Sequence, residues 1–411
     1  MQTSLSKKYR QTQKGVEMEK ILRRCVHCGF CNATCPTYQL LGDELDGPRG
    51  RIYLMKQYLE GERVTRETRL HLDRCLSCQA CETTCPSGVE YHRLLDFTRQ
   101  QFAQDRTIPK QAPLKKWLIR QIIPYPTRYR WLMAILRGTL PLLPAKLKQS
   151  LPVRPRSKHH RTKAIPTTEK KVILIQGCAQ SAMTPETREA AKRLLQKMGI
   201  GIVEVNREGC CGALDHHLGE NSRPFIEQNI HAWLPFLQDH AVEALISTAS
   251  GCGLHLKHYP EILDRQDPLW EQASTLSEHV VDISEYLLPH VEKLQFTSKE
   301  NGFPKIALHL PCTLQHGQKL GQTLKTLLTT MGFELLPVRD EHLCCGSAGS
   351  YSLLQPELSY ALKKQKLEAL TENRPDVIAT ANIGCLLHLR KDNNIPVMHW
   401  IELLDKFSEI S

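Results

Sequence analysis

Two independent duplications predict a multidomain chain: a helical N-terminal module followed by two repeated α/β domains. The first is a cysteine run that occurs twice, as Cys25, Cys28, Cys31 and Cys35 before Pro36, and as Cys75, Cys78, Cys81 and Cys85 before Pro86. The second is a longer register, in which Cys178, Cys210-Cys211-Gly212 and Cys252 recur as Cys312, Cys344-Cys345-Gly346 and Cys385. The offset is 134 residues at the first three cysteines and 133 at the last. With 411 residues, 41% of them hydrophobic and 24% charged, the chain is long and apolar enough for two or three cores.

Each N-terminal run has the spacing C-x2-C-x2-C-x3-C-P. Three thiolates at successive three-residue steps wrap one iron-sulfur cluster, while the fourth, held off by the proline, ligates the other cluster of the pair. The expectation is two 4Fe-4S clusters with crossed ligation. One takes Cys25, Cys28, Cys31 and Cys85, and the other takes Cys75, Cys78, Cys81 and Cys35. Structural zinc, the alternative, uses two C-x2-C pairs set well apart and has no use for this run.

Between Cys35 and Cys75 lie 39 residues, too many for a minimal strand-rich module, and Ile52, Leu54, Met55, Tyr58 and Leu59 recur there at helical spacing. Helices are also predicted over 16–24 and 65–74, each leading into one cysteine run. The turn Gly47-Pro48-Arg49-Gly50-Arg51 places two arginines near the clusters, where they balance charge or position a partner.

The N-terminal stretch has no apolar run to serve as a signal peptide, so the sixteen cysteines point to a reducing compartment and to ligands rather than disulfides. The apolar stretch 131–144 is broken by Arg137, Gly138 and Pro141 and is too short to cross a bilayer. Net charge is +11, yet 106–163 alone carries 15 Lys or Arg and no Asp or Glu, which leaves the remainder at −4. That segment also holds Trp117, Tyr125, Tyr129 and Trp131. It suits anionic lipid or an acidic partner, or serves as a solvated connector. Nucleic acid is not expected, because nothing matches a nucleic-acid module.

In the repeated domains, buried strands are predicted over 172–176 and 306–310, each ending two residues before its first cysteine. A helix follows over 185–198, with Thr184 as N-cap, Pro185 at its first position and Gly199 past its end; its counterpart spans 319–331 before Gly332. Second strands, 201–205 and 333–338, lead into the Cys-Cys-Gly, and third strands, 244–249 and 376–380, lead to Cys252 and Cys385. Every cysteine thus follows the carboxyl end of a strand, the edge where open parallel sheets place ligands. Cys178, Cys210, Cys211 and Cys252, and likewise Cys312, Cys344, Cys345 and Cys385, are candidates for a further iron-sulfur cluster; the alternative is that they are small buried apolar residues.

These residues together resemble the iron-sulfur subunits of bacterial glycolate oxidase. More widely they resemble electron-transfer subunits that fuse an α-helical dicluster ferredoxin to two CCG cysteine-rich domains, as in heterodisulfide reductase and anaerobic glycerol-3-phosphate dehydrogenase. The narrower likeness rests on Gly177-Cys178-Ala179-Gln180-Ser181-Ala182-Met183-Thr184-Pro185, on Gly209-Cys210-Cys211-Gly212-Ala213-Leu214-Asp215-His216-His217, and on Cys344-Cys345-Gly346-Ser347-Ala348-Gly349. It implies a ferredoxin domain over 1–105, a basic connector over 106–166, and CCG domains over 167–300 and 301–411.

The resemblance further implies the non-flavin subunit of an acceptor-linked glycolate dehydrogenase, with FAD on partner subunits that oxidise glycolate to glyoxylate and often accept D-lactate. Electrons would leave toward quinone or another acceptor, with the chain cytoplasmic and peripheral on the inner face of the cytoplasmic membrane. The chain has no G-x-G-x-x-G after a strand, no P-loop and no nucleophile elbow, so no catalytic residue for glycolate is expected within it. Alternatives are a subunit of a related 2-hydroxyacid or glycerol-3-phosphate dehydrogenase, or a thiol-disulfide catalyst of the heterodisulfide reductase type. One departure bears on the last. The broad CCG pattern ends in C-x2-C, whereas here His255 and His388 take the second place, and histidine is itself an iron ligand in Rieske centres.

Overall fold

Helix starts in the N-terminal third follow side-chain caps. Thr12 accepts the Gly15 N–H to begin Gln13–Arg24, and Thr65 accepts the Thr68 N–H to begin Arg66–Asp73. These are the two helices expected before the cysteine runs. Pro48 occupies the first turn of Pro48–Glu60, and Gly61 ends it at φ +107°. Together with Tyr91–Gln104 these helices bury Leu22, Met55, Leu59, Leu72, Leu94 and Leu95 completely. Each such leucine contributes about 1.5–3 kcal/mol of burial. The structure, a computed structural model, describes residues 1–139, 170–238, 242–294, 302–391 and 393–408.

The described residues divide into two compact bodies. The helical body comprises Met1–Trp117 together with two later stretches, Leu214–Ser222 and His342–Lys366. The sheet body comprises Leu118–Ala213, Arg223–Glu341 and Leu367–Ser411.

The sheet body holds two four-stranded, all-parallel sheets. The first is built from β1 (Lys171–Leu174), β2 (Gly201–Val203), β3 (Ala244–Ser247) and β4 (Val280–Asp282), in the order β2-β1-β3-β4. The second repeats that order with β5 (Ile306–His309), β6 (Leu335–Leu336), β7 (Val377–Thr380) and β8 (Val397–His399), as β6-β5-β7-β8. The fold class is therefore the one expected, with a strand added to each sheet. β4 and β8 have three residues each and run straight into helices, too short for a period-two signal.

The two sheets share one core. Val172, Leu174 and Ile246 from the first pack with Ile306, Leu308 and Ala379 from the second, around the buried Leu194, Leu327 and Trp400. Helices Pro185–Lys197 and Trp400–Phe407 are tied by an ion pair of 2.5 Å between Arg193 and Asp405. The basic connector is partly helical, over Pro113–Ile122 and Pro126–Thr139; its remainder, 140–166, lies outside the described residues. Within the sheet body Pro126–Thr139 packs on Cys178–Met183.

Candidate metal centres

Both N-terminal runs fold alike. His27 and Gly29 in the first, and Ser77 and Gln79 in the second, all have left-handed φ, between +53° and +84°. These are the second and fourth positions after the run begins, so the backbone doubles back between cysteines and aims successive thiols at one point. His27, Ser77 and Gln79 hold this conformation at a cost of roughly 1–2 kcal/mol each, strain of the kind that collects at functional sites. The short helices that follow, Phe30–Thr34 and Ala80–Thr84, pack together, with Thr34 Oγ1 3.0 Å from Thr84 Oγ1 and donating to the Ala80 carbonyl at 3.2 Å.

The folding-over creates two neighbouring cavities. One, with about 440 Å³ of open space, is lined by Cys25, Cys28, Cys31 and, from the other run, Cys85. The second, with about 390 Å³, is lined by Cys75, Cys78, Cys81 and, from the first run, Cys35. Cys81 and Tyr91 border both. The thiols crowd one another. Burial, then the adjoining Cys25, Cys85 and Cys28, pushes the Cys31 thiol up to about 12, and Cys81 is raised by burial, Cys78, Glu82, Cys75 and Cys35. A cationic centre stabilises the thiolates of such a set, releasing their protons as it binds. All-sulfur ligation by eight cysteines suits iron-sulfur clusters in chemistry and in number.

The second cavity has polar walls. Tyr91, 4% exposed, donates its hydroxyl to Cys75 Sγ at 3.6 Å. Arg51, fully enclosed, donates from Nη1 to Thr37 Oγ1 at 3.0 Å and reaches Cys35 Sγ at 3.9 Å. Its Nε bonds the His71 carbonyl at 2.7 Å and its Nη2 pairs with Asp46 Oδ1 at 3.2 Å. Asp46 also receives Arg74 at 2.9 Å. Burial works against the Arg51 charge, but Cys75, Tyr91, Cys35 and Asp46 outweigh it and hold the guanidinium protonated. Of the two arginines in the 47–51 turn, Arg51 therefore serves the second cavity, while Arg49 lines the first and pairs with Glu44 at 2.6 Å. The first cavity is more open, with Cys28, Val26 and Phe30 exposed beside it.

In the first repeated domain the four cysteines come together. Cys178 Sγ lies 3.4 Å from Cys210 Sγ, and the Cys211 thiol, raised with its burial, feels Cys210, Cys252 and Cys178. Asn229 donates to the Cys210 carbonyl at 2.9 Å, Tyr259 donates to the Cys211 carbonyl at 2.8 Å, and the Gly212 N–H points at Cys210 Sγ. Gly212 makes this turn at φ +91°. Ile173, Ile175, Val205 and Ile226 surround the set with hydrocarbon. Tyr129, from the connector helix, stands close enough to Cys178 to feel its charge. His255 is buried and meets Tyr259 edge-on, with ring centroids 5.8 Å apart.

The second set is distributed between the two bodies. Cys312 and Cys385 belong to the sheet body, Cys385 buried and accepting from Asn382 Nδ2 at 3.7 Å. Cys344 and Cys345, both buried, belong to the helical body. There Tyr351 is raised by burial and lies within electrostatic reach of Arg51, Cys75 and Cys344. The stretch after the first Cys-Cys-Gly joins the same body, with His216 Nε2 3.0 Å from the half-buried Asp96 carboxylate. Gly219 makes the fit close, since a Cβ there would meet the Arg99 carbonyl at 2.3 Å. Tyr91, Tyr351 and His309 were not singled out from sequence. Their only sequence signal is nearness to a cysteine: Tyr91 is six residues past Cys85, Tyr351 six past Cys345 and His309 three before Cys312.

Residues 21–89 match the family model of the 4Fe-4S dicluster domain, and residues 172–257 and 306–390 each match that of the cysteine-rich domain. The glycolate oxidase iron-sulfur subunit of Escherichia coli K12 is 44% identical over the full length of both chains. The chain belongs to the family of glycolate oxidase iron-sulfur subunits. Another protein of this family, described as the probable subunit of Bacillus subtilis 168, is 32% identical over 90% of this chain and 88% of its own length. The lactate utilization protein A of Bacillus licheniformis is 25% identical over 57% of this chain and 99% of its own. A crystal structure of a hypothetical Helicobacter pylori protein superposes with a TM-score of 0.55 at 11% identity, covering 95% of this chain and 71% of that one, a likeness of fold alone. As a glycolate oxidase iron-sulfur subunit, the chain is an electron-transfer subunit of an oxidoreductase and carries iron-sulfur clusters.

Proposed function

We propose that this chain relays electrons from a partner subunit, which oxidises glycolate to glyoxylate on FAD, toward quinone or another acceptor. The observation that carries the reading is the pair of adjoining cavities, each lined by three cysteines of one run and the fourth of the other. Iron-sulfur clusters bound there supply one-electron transfer, which splits the two-electron output of a flavin. Cys25, Cys28, Cys31 and Cys85 hold one, and Cys75, Cys78, Cys81 and Cys35 the other. Arg51, Tyr91 and Thr37 set the charge and hydrogen bonding of the second site. The more open first site, lined by the exposed Val26 and Cys28, is the side for a docking partner.

The thiol set of the first repeated domain is proposed to hold a further iron centre. That Tyr351 feels both Cys75 and Cys344 supports a role for the second domain on the same electron path. Among the described residues no helix is long and apolar enough to cross a membrane. The basic segment, with Trp131 and Ile135 exposed on its helix, supports peripheral contact with the anionic inner face of the cytoplasmic membrane.

The test is anaerobic mixing of the full chain with its flavin-bearing partner and glycolate, followed by low-temperature EPR. Cluster reduction is expected only when the partner is present; glycolate turnover by this chain alone would sink the reading. Substitution of Cys210 and Cys211 separates the relay from a disulfide-reducing centre. Acceptor reduction abolished with an intact flavin half-reaction favours the second, and failed assembly of the complex favours the first.

A further inference from the structure

The two cysteine-rich copies differ chemically at one matched pair of positions. In repeat register, His309 stands where the first copy has Ile175, and Thr380 stands where it has Ser247. β5 and β7 are adjacent parallel strands in which His309 and Thr380 are register partners. His309 Nδ1 lies 2.9 Å from Thr380 Oγ1. The first copy uses the same two places differently: Ile175 joins the hydrocarbon around Cys178, Cys210 and Cys211, and Ser247 bonds locally to Ala249. The exchange is thus of a pair, Ile and Ser for His and Thr.

His309 closes its strand at the carboxyl edge, the edge that carries the cysteines. It is 2% exposed, and a ring nitrogen lies within 4.8 Å of Cys385 Sγ. Metal-bound histidines typically give their second ring N–H to a fixed acceptor, which sets the tautomer and the ring plane. Thr380 is placed to be that acceptor for Nδ1, so Nε2 is the nitrogen that would meet a metal.

We propose that His309 and Cys385 are ligands of one iron centre in the second copy, giving it a mixed nitrogen-sulfur ligand set, whereas the centre of the first copy is bound by thiolates alone. This rests on the reading that the cysteine-rich copies hold iron. Imidazole is neutral, so a centre that holds His309 is one unit less negative than the same centre with a thiolate at that place, which favours its reduced form. A cysteine at 309 should therefore lower the midpoint.

The experiment is pulsed EPR of the full chain, reconstituted anaerobically with iron and sulfide and grown with either natural or 15N-labelled histidine. Iron is counted in parallel for the wild type, His309→Ala and His309→Cys. Expected is iron beyond the roughly eight per chain that two cubanes account for. A directly bound nitrogen coupling should change with the label and be lost in both variants. His309→Cys guards against misfolding, since it should keep the extra iron, lose the nitrogen coupling and lower the midpoint of that signal. Extra iron whose signal shows no histidine coupling, in a wild type indistinguishable from His309→Ala, overturns the proposal and leaves iron in the copies intact. About eight irons in the wild type overturn the underlying reading, and the proposal with it.

Discussion

Replacing Tyr91 by phenylalanine removes one oxygen, and the structure says which cluster should notice. The hydroxyl donates to Cys75 Sγ at 3.6 Å inside a buried pocket, and its ring supports both cavities without giving the first a hydrogen bond. A hydrogen bond to a charged acceptor is worth about 1.5–3 kcal/mol. The reduced state carries one further negative charge on the same ligand shell, so the bond is stronger there. If about 1 kcal/mol of the bond is specific to the reduced state, then at about 59 mV per tenfold for one electron and about 1.36 kcal/mol per tenfold, the midpoint falls by roughly 40 mV. The assay is an EPR-monitored redox titration of the full chain, read separately for the two cluster signals. Only the signal that depends on Cys75, Cys78 and Cys81 should move, and it should move downward. An equal shift in both signals, no shift, or an upward shift refutes the assignment of Tyr91 to the second site.

Three further outcomes follow from the geometry. Cys35→Ala should cost the cluster of the other run, leaving about four irons in the N-terminal module, with the spectrum of the Cys25, Cys28 and Cys31 site; loss of that site instead means ligation is not crossed. Gly50→Ala drives a Cβ to 2.1 Å from the Glu44 carbonyl and displaces the turn that carries Asp46 to Arg51. It should cost about 1–3 kcal/mol in denaturant titrations and weaken loading of the second site. His399 is lowered to about 4 by burial, against which its bonds to the Thr248 and Ala381 carbonyls act only in part. The unfolded chain takes up that proton first as pH falls below about 6.5. Between pH 7 and pH 5 the wild type should thus lose about 2 kcal/mol of stability that His399→Asn does not lose. Urea unfolding of both at the two pH values checks it, and parallel slopes would rule the assignment out.

Much of this was legible because duplication leaves marks that chemistry explains. A proline after the fourth cysteine told which thiol should cross between cavities, and the 134-residue register told which strands are equivalent. What the sequence hid has physical reasons. His309 closes a strand that reads Ile-Ala-Leu-His, a buried pattern in which one imidazole looks like any core histidine until its register partner Thr380 is known. The reading of the connector assigns it no helix, yet Pro113 and Pro126 each stand at the start of one, where a missing N–H costs nothing. β4 and β8 were missed because three residues carry no period. Arg51 was placed near the clusters by its turn, but its burial against Asp46 depends on Gly50, whose lack of a side chain is a tertiary requirement that no spacing rule contains.

The helical body is completed by residues 342–366, which the ribosome makes long after the eight cysteines of its two runs. Tyr351 and the Cys344-Cys345 pair reach the surroundings of Cys75 and Arg51 only when most of the chain has been synthesised. Domains that fold from contiguous sequence can finish as they emerge, and this one cannot. An N-terminal fragment ending at the connector therefore keeps all eight cysteines of the two runs but lacks the later stretches that complete their body.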